Sequence, residues 1–227
     1  MKQQADLIHD FTIHYPKASI VFKSGYRELI NFYTNQEQQT KQFYCDVTQQ
    51  DWNIIDVGAN IGMFTLLFGH LTNGKVWAVE ASEENFGMLI ENIEHSKPSG
   101  SNIIPLNAYV SNKTEKAEGE IHYLWTGRGS VLRNKGEFNF STLDDLIGDD
   151  QHVDLIKIDI DGYDFEAVQG ATKIIDRCKP MVVIELVSEA LSLHGYYPQQ
   201  VVDFMRTLNY HETRVLDNCN FVFEFNK

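Results

Sequence analysis

The chain has 227 residues, of which 43% are hydrophobic and 22% charged, and its 19 basic and 32 acidic residues give a net charge of −13. A chain of this length can bury roughly 70% of its unfolded surface in one domain, so we expect a globular protein. The acidic balance disfavours a nucleic-acid partner, because phosphate contacts need clustered Lys and Arg.

The cysteines and the hydrophobic runs exclude further classes of protein. Cys45, Cys178 and Cys219 are isolated from one another, so they indicate neither a disulfide framework nor a zinc site. Residues 1–11 lack the apolar core of a signal peptide, and no stretch reaches the roughly 18 apolar residues of a membrane span. We therefore expect a cytoplasmic protein with reduced cysteines.

The most informative segment is residues 53–62, which read Asn-Ile-Ile-Asp-Val-Gly-Ala-Asn-Ile-Gly and run into a dense apolar stretch. This pattern predicts a strand, a loop that exposes its backbone, and a buried helix, the arrangement that holds nucleotide-like ligands at the carboxyl edge of an α/β sheet. A dinucleotide fingerprint has a middle glycine, whereas this loop has Asn60 between Gly58 and Gly62. The loop therefore favours a nucleoside ligand without a pyrophosphate.

Beyond this loop, predicted strands and helices alternate. We expect strands at 54–57, 75–80, 102–106, 153–160 and 181–187, and helices at 62–71, after Ser82, over one continuous stretch from about 165 to 179, and from Pro198. A short capped helix is expected at 141–146, and residues 211–225 read as two strands joined by a turn. The alternation predicts a largely parallel sheet with helices on both faces and an antiparallel pair at the end.

Two segments interrupt the alternation. Residues 1–50 are polar and Gln-rich near 36–42, and they fit either an N-terminal cap over the ligand site or a packed helical leader, so we separate them from a main domain at 51–227. Residues 108–139 read as an excursion of small strands and a loop near the ligand edge. Within it, Arg128 and Ser130 are candidates to orient an anionic or hydroxylated substrate, although a solvated turn fits them equally well.

The ends of the second and third strands carry candidate ligand contacts. Glu80 lies 22 residues beyond Gly58, where an acid can accept two hydrogen bonds from a ribose diol. Its alternative role is that of an ordinary strand-end acid. Asn107 and Ala108 end the third strand, where we expect adenine contact.

Asp159, Asp161 and Glu185 end the fourth and fifth strands. Burial and like charge both disfavour ionisation of carboxylates that converge in this way. One of them could act as a general base on a substrate hydroxyl. Alternatively, they could bind a divalent cation such as Mg²⁺, or simply bond backbone amides. His122 and His194 are further proton-transfer candidates, but a lone histidine is more often structural.

With these segments in place, the chain resembles the FkbM family of class I, S-adenosylmethionine-dependent methyltransferases. The resemblance covers about residues 53–186 in order, and five motifs carry it. They are Asp-Val-Gly-Ala-Asn-Ile-Gly at 56–62, Val-Glu at 79–80 with Glu-Asn-Phe at 84–86, Thr-Leu-Asp-Asp-Leu at 142–146, Asp-Leu-Ile-Lys-Ile-Asp-Ile-Asp-Gly at 154–162, and Gln-Gly-Ala at 169–171 ahead of Val-Ile-Glu at 183–185. The family usually has Glu where this chain has Asp161, which shortens the reach of that carboxylate, and often Pro where it has Ser82.

The resemblance implies a Rossmann-like methyltransferase fold with a mostly parallel seven-stranded sheet, and S-adenosylmethionine as methyl donor. It implies O-methylation of a hydroxyl on a small-molecule or glycan acceptor. We expect Asp159, Asp161 and Glu185 on the catalytic side, and Arg128, Ser130 and His194 near the substrate. The residues expected to bind the cofactor are Asp56, Gly58, Asn60, Gly62, Glu80, Ala81, Asn107 and Ala108.

Methyl transfer from a sulfonium needs an aligned nucleophile and no covalent intermediate, which agrees with the absence of a Ser-His-Asp or Cys-His signature. One alternative is an NAD(P)-dependent oxidoreductase, which the missing middle glycine and the absence of a Tyr-x-x-x-Lys pair argue against. Another is a non-catalytic module that binds S-adenosylmethionine. Sugars, polyketide-like products, peptides and lipid-linked glycans are all compatible acceptors, and no oligomeric state is predicted.

Overall fold

The computed structural model describes residues 9–24, 34–96, 102–123 and 132–227. Its strands are β1 (His9–His14), β2 (Ser19–Ser24), β3 (Ile54–Val57), β4 (Lys75–Glu80), β5 (Asn102–Asn107), β6 (Tyr109–Val110), β7 (Glu115–Tyr123), β8 (Leu132–Ser141), β9 (Leu155–Ile158), β10 (Met181–Glu185), β11 (Tyr210–Leu216) and β12 (Asn220–Phe225). Its helices are α1 (Gln38–Val47), α2 (Met63–Leu71), α3 (Glu83–Ser96), α4 (Leu143–Ile147), α5 (Asp164–Gln169), α6 (Thr172–Cys178), α7 (Ser188–Leu193) and α8 (Pro198–Thr207). No helix in these ranges is long and apolar enough to cross a membrane.

A seven-stranded sheet in the order β11-β12-β10-β9-β3-β4-β5 forms the centre of the fold. The strands from β10 to β5 pair in parallel, and β12 pairs antiparallel with both β10 and β11. This confirms the predicted Rossmann-like α/β fold with a mostly parallel sheet and a C-terminal antiparallel pair. Parallel order brings the carboxyl ends of β3, β4, β9 and β10 to one edge, where a ligand can bind.

Helices cover both faces of this sheet, as predicted. Ile54 and Ile55 of β3 are both fully buried, but they belong to different core clusters, because successive residues of a strand point to opposite faces. Phe64 of α2 packs in the Ile54 cluster, and Val168 of α5 packs in the Ile55 cluster. The apolar runs of the central strands are therefore explained by burial on both sides.

The single helix predicted over about 165–179 is wrong, because the structure has two helices there, α5 and α6. Gly170 lies between them, and a Cβ at this position would be 2.3 Å from the carbonyl oxygen of Ser111. The Gly170 carbonyl also accepts a hydrogen bond from the N–H of Asp144. The break therefore arises from the approach of distant segments, which a local apolar pattern does not contain.

The N-terminal segment contains a β-hairpin that the sequence pattern did not predict. Strands β1 and β2 pair antiparallel, and Asn92 of α3 bonds both the N–H and the carbonyl of Lys23, at 2.7 and 3.3 Å. Helix α1 packs against α2 through Tyr44, whose ring lies 4.8 Å from that of Phe68. The hairpin and α1 thus attach to the main sheet through its covering helices.

The excursion predicted at 108–139 forms a small three-stranded sheet in the order β6-β8-β7. Tyr109, Phe138 and Phe140 pack edge to face on it, and Tyr109 and Phe140 also face the cavity described below. Arg128 and Ser130 lie outside the described residues, as does the side chain of His122.

Candidate active site

A cavity of about 580 Å³ opens at the carboxyl ends of the parallel strands. Its walls come from the loop after β3, from the ends of β4, β9 and β10, from residues 35–39, and from the turn at 217–219. A pocket at this edge is where open α/β sheets bind their ligands.

The loop after β3 presents its backbone to the cavity. Gly58 and Asn60 both have left-handed backbones, with φ of 79° and 51°, and the Asn60 side chain accepts a hydrogen bond from the N–H of Ile61 at 2.8 Å. A Cβ on Gly58 would lie 1.8 Å from the carbonyl oxygen of Asp159. Only glycine therefore fits at position 58, and the loop is packed against the end of β9.

Gly62 packs against helix α3, whereas Gly58 packs against the end of β9. Its φ is 100°, and a Cβ there would lie 3.0 Å from a methyl group of Leu89 in α3. It is not among the described residues that line the cavity. Gly62 therefore starts α2 and lets α3 approach closely.

Glu80, at the end of β4, holds the glycine loop from the side. Its Oε2 accepts a hydrogen bond from the N–H of Asn60 and its Oε1 one from the N–H of Ser82, both at 2.8 Å. The side chain is buried but borders the cavity. Burial raises the pKa of Glu80 to about 7, although these hydrogen bonds favour its charged form.

The residues at and after the ends of β4 and β5 have two different roles. Ala81 and Ala108 line the cavity. Asn107 is not one of its described lining residues; instead its Nδ2 donates to the carbonyls of Glu80 and Ala81, at 2.9 and 3.2 Å. Asn107 therefore ties together the two strand ends that form this wall.

An ion-pair network lies at the floor of the cavity. The Nζ of Lys157 is 3.3 Å from Oδ1 of Asp56 and 3.0 Å from Oδ2 of Asp159. Thr65 donates to the other oxygen of Asp56 at 2.6 Å. Burial alone would lower the pKa of Lys157, but the charges of Asp159 and Asp56 outweigh it and hold that pKa above its usual value. Lys157 stands within the motif at 154–162 but was not predicted as a site residue, although a single charge within the apolar strand Leu-Ile-Lys-Ile was a signal.

The structure brings Asp159, Asp161 and Glu185 together on the cavity wall. The charge of Asp159, together with burial, raises the pKa of Glu185 to about 10, and the two side chains hydrogen-bond each other. Asp161 has a left-handed backbone in the turn after β9, with φ of 53°. At neutral pH Glu185 therefore keeps its proton, and Asp159 pairs with Lys157.

His194, the remaining candidate among the described residues, does not line the cavity itself. His194 packs against the ring of Tyr163, with centroids 4.0 Å apart, and it is not among the described lining residues. Across the described ranges, no three or more His, Cys, Asp or Glu side chains are grouped so that they could hold a metal ion. Asp159, Asp161 and Glu185 thus share a wall without forming a metal-ligand set.

Another wall of the cavity is formed by residues 35–39 and 217–219. The sequence allows a cap from residues 1–50 as one of two alternatives, but none of these residues is a predicted site residue. Asp217 accepts hydrogen bonds from the N–H and the hydroxyl of Thr40, both at 2.8 Å, and Lys41 donates to the carbonyl of Gln36 at 2.6 Å. These contacts hold Glu37, which faces the cavity. Burial and the charge of Asp159 raise the pKa of Glu37 to about 7. No local pattern signals this wall, because the contacts join the two ends of the chain.

Comparison with known proteins gives one family match. The family described as "Methyltransferase FkbM domain" matches residues 56–212. No curated protein matches the chain.

Several solved structures share the fold. An FkbM methyltransferase from Methylobacillus flagellatus KT is 16% identical with a TM-score of 0.50, over 81% of this chain and 46% of the other. The chain thus spans about half the length of that protein. A precorrin-6y C5,15-methyltransferase from Geobacter metallireducens GS-15 is 14% identical with a TM-score of 0.52, over 89% and 92%. TYW2 of M. jannaschii, in complex with AdoMet, is 14% identical with a TM-score of 0.50, over 96% and 87%.

Proposed function

Because the chain belongs to the FkbM methyltransferase family, we propose that it transfers a methyl group from S-adenosylmethionine to a hydroxyl of a small-molecule or glycan acceptor. The observation that carries this proposal is one cavity with two unlike halves. A glycine loop and the buried Glu80 form one half, and the carboxylates of Asp159, Asp161 and Glu185 form the other.

The first half fits the donor. The exposed backbone from Gly58 to Asn60 lets the methionine part approach closely, and Glu80 can accept hydrogen bonds from the ribose hydroxyls. Ala81 and Ala108 offer small apolar surfaces to adenine. Asp56 stabilises this half through its buried ion pair with Lys157. Asn107 stabilises it by joining the ends of β4 and β5, and Gly62 does so by letting α3 approach closely.

The second half fits the acceptor. When bound, S-adenosylmethionine supplies an activated methyl: the O–CH3 bond forms as the S–CH3 bond breaks, and the electron pair stays on sulfur. Asp159 pairs with Lys157 on this side of the cavity, and its carboxylate can accept the proton of the acceptor hydroxyl. Glu185 donates its proton in a hydrogen bond to Asp159 and so positions that carboxylate, and Asp161 can orient the acceptor. These roles depend on the cavity walls excluding water and aligning the hydroxyl with the methyl.

Residues 35–39 complete the acceptor half, so we propose that the N-terminal segment acts as a cap on the domain that begins near residue 51. The carboxylates on this wall disfavour polyanionic acceptors, because like charges would be brought together. Neutral hydroxylated molecules such as sugars meet no such penalty.

Binding measurements test the donor assignment directly. We expect S-adenosylmethionine to raise the melting temperature of the purified protein and NAD to leave it unchanged. Stabilisation by NAD alone would instead favour the oxidoreductase alternative. Incubation with methyl-labelled S-adenosylmethionine and a panel of hydroxylated metabolites then tests catalysis, and binding without transfer to any of them would favour a non-catalytic module. Repeating a positive reaction with EDTA, then with added Mg²⁺, tests metal dependence.

A further inference from the structure

We propose that Glu37 makes the cavity prefer the positively charged methyl donor over the neutral thioether product that remains after transfer. This inference rests on the function proposed above and names a specificity-determining residue for it. Glu37 lies outside residues 56–212, the stretch that matches the family.

The location of the donor's charge follows from the reaction. An in-line transfer places the methyl between donor and acceptor, so the sulfonium must lie where the two halves of the cavity meet. Asp159 occupies this border: its carbonyl oxygen packs against Gly58 of the donor half, while its side chain interacts with Glu185 of the acceptor half. Glu37 lines the same cavity as Asp159. Its Oε1 accepts a hydrogen bond from Nδ2 of Asn220 at 3.5 Å, and Asn220 is the register partner of Glu185.

The cavity around this border carries more negative than positive side chains, so a positively charged ligand would be attracted to it. Seven carboxyl side chains line the described part of the cavity, against one cation, Lys157. Glu185 is protonated at neutral pH, so it adds no charge, but the remaining carboxyls still outnumber the cation. Both close partners of Lys157 are already among the seven, namely Asp56 and Asp159. The seven carboxyl side chains belong to Glu37, Asp56, Glu80, Asp159, Asp161, Glu185 and Asp217.

Glu37 has the position and the surroundings to respond to a cation. Two hydrogen bonds hold the wall that carries Glu37. Asp217 accepts one from the N–H of Thr40, and Lys41 donates the other to the carbonyl of Gln36. The titratable groups that interact with Glu37 are Asp159, Lys157, Lys41, Asp217, Glu185, Cys219, Tyr15 and Tyr44. Burial and the charge of Asp159 raise the pKa of Glu37 to about 7. A sulfonium nearby would lower that pKa, so the attraction should grow as Glu37 ionises with rising pH.

Donor and product provide a matched pair of ligands. They differ only in the methyl group and the positive charge on sulfur, so the ratio of their dissociation constants reports the charge at that point. Contacts to adenine, ribose and the amino acid part cancel in the ratio.

The test is calorimetric titration of S-adenosylmethionine and S-adenosylhomocysteine into wild type, Glu37→Gln, Glu37→Asp and Glu212→Gln at pH 8 and low salt. Glu212 is an exposed residue of β11 and serves as the matched control. We expect Glu37→Gln to weaken donor binding about threefold to tenfold, as for a partly screened charge pair, and to leave product binding unchanged. Glu37→Asp and Glu212→Gln should keep the wild-type ratio, and added salt should reduce the difference.

Equal weakening of both ligands in Glu37→Gln, or of neither, would overturn the proposal. If Glu37→Gln does not fold, Glu80→Gln takes its place, because Glu80 lines the same cavity and has a similar pKa. Preference for the donor must still rise between pH 6 and pH 8 in that variant, and a constant ratio overturns the inference. A wild type that binds neither ligand contradicts the proposed function itself. One that binds both without dependence on Glu37 or pH contradicts only this inference.

Discussion

Lys157 and Asp56 form an ion pair inside the central sheet. They are direct partners in the register of the neighbouring parallel strands β9 and β3, their charged atoms are 3.3 Å apart, and both side chains are almost fully buried. The pair links the strand that carries the glycine loop to the strand that leads into Asp159. The ion pair between Lys157 and Asp56 therefore stabilises both the donor half and the acceptor half of the cavity.

Replacing Lys157 by Met should strongly destabilise the protein. The free energy of unfolding should fall by about 3 to 5 kcal/mol, because Asp56 would be left buried without its cation. Urea denaturation measures this loss. The double variant Lys157→Met with Asp56→Asn should recover part of it, because no buried charge then remains unpaired.

Lys116→Met is the matched control for this experiment. Lys116 pairs with Glu137 at 3.4 Å on the surface, where such pairs contribute at most about 1 kcal/mol. If Lys157→Met cost no more than Lys116→Met, the buried pair would not support the site in the way described.

Glu80→Ala should weaken donor binding by about tenfold or more. The variant removes an acceptor for the ribose hydroxyls, and hydrogen bonds to charged groups contribute about this much. It also leaves the N–H groups of Asn60 and Ser82 without their partner. Calorimetry with S-adenosylmethionine measures the effect, and Glu83→Ala, an exposed residue in the first turn of α3, is the control.

A ligand lacking the ribose hydroxyls separates these two effects of Glu80. In the wild type, 2′,3′-dideoxyadenosine should bind more weakly than adenosine, whereas Glu80→Ala should bind the two equally. A variant that still distinguishes them as the wild type does would refute the ribose assignment.

Gly58→Ala should destabilise the protein by about 3 kcal/mol, because the new methyl group would overlap the Asp159 carbonyl and the backbone has a positive φ. Gly87→Ala is the opposite case within α3: a Cβ there meets nothing within 4 Å, so alanine should stabilise the helix by about 0.5 to 1 kcal/mol. Urea denaturation of both variants tests this contrast. Equal effects would mean that the loop is not packed against β9 as described.

The buried carboxyls predict how stability depends on pH. Burial raises the pKa of Glu80 from 4.5 to about 7 and that of Asp164 from 3.8 to about 6. The folded state therefore binds more protons than the unfolded state between these values. Their contribution is fully present below the unfolded pKa and is lost as pH rises through the folded one, at up to about 1.4 kcal/mol per pH unit for each group.

Unfolding free energies from urea curves between pH 4.5 and 7.5 test this slope. Glu80→Gln cannot titrate at position 80, so its stability should fall less steeply with pH than that of the wild type. Parallel curves for the two proteins would show that Glu80 does not titrate in this range.

Sequence patterns predicted the sheet because its central strands are continuous apolar runs, and they predicted the glycine loop because Gly58 and Gly62 have a backbone requirement. They failed where distant segments meet. The break at Gly170 depends on Ser111, and the position of Glu37 depends on Asp217. The residues next to Gly170 and Glu37 in sequence carry no pattern that predicts these contacts. Lys157, in contrast, can be recognised in the sequence as a lone charge in a buried strand.

The hydrogen bonds between Asp217 and Thr40 join residues 177 positions apart in sequence. Closing so long a loop has a high entropic cost, and contacts of this kind slow folding. Because chains emerge from the ribosome N-terminus first, the strands that carry Gly58 and Glu80 are synthesised well before β11 and β12. The donor half can therefore take shape during synthesis, whereas the wall that carries Glu37 closes only after the last hairpin has emerged.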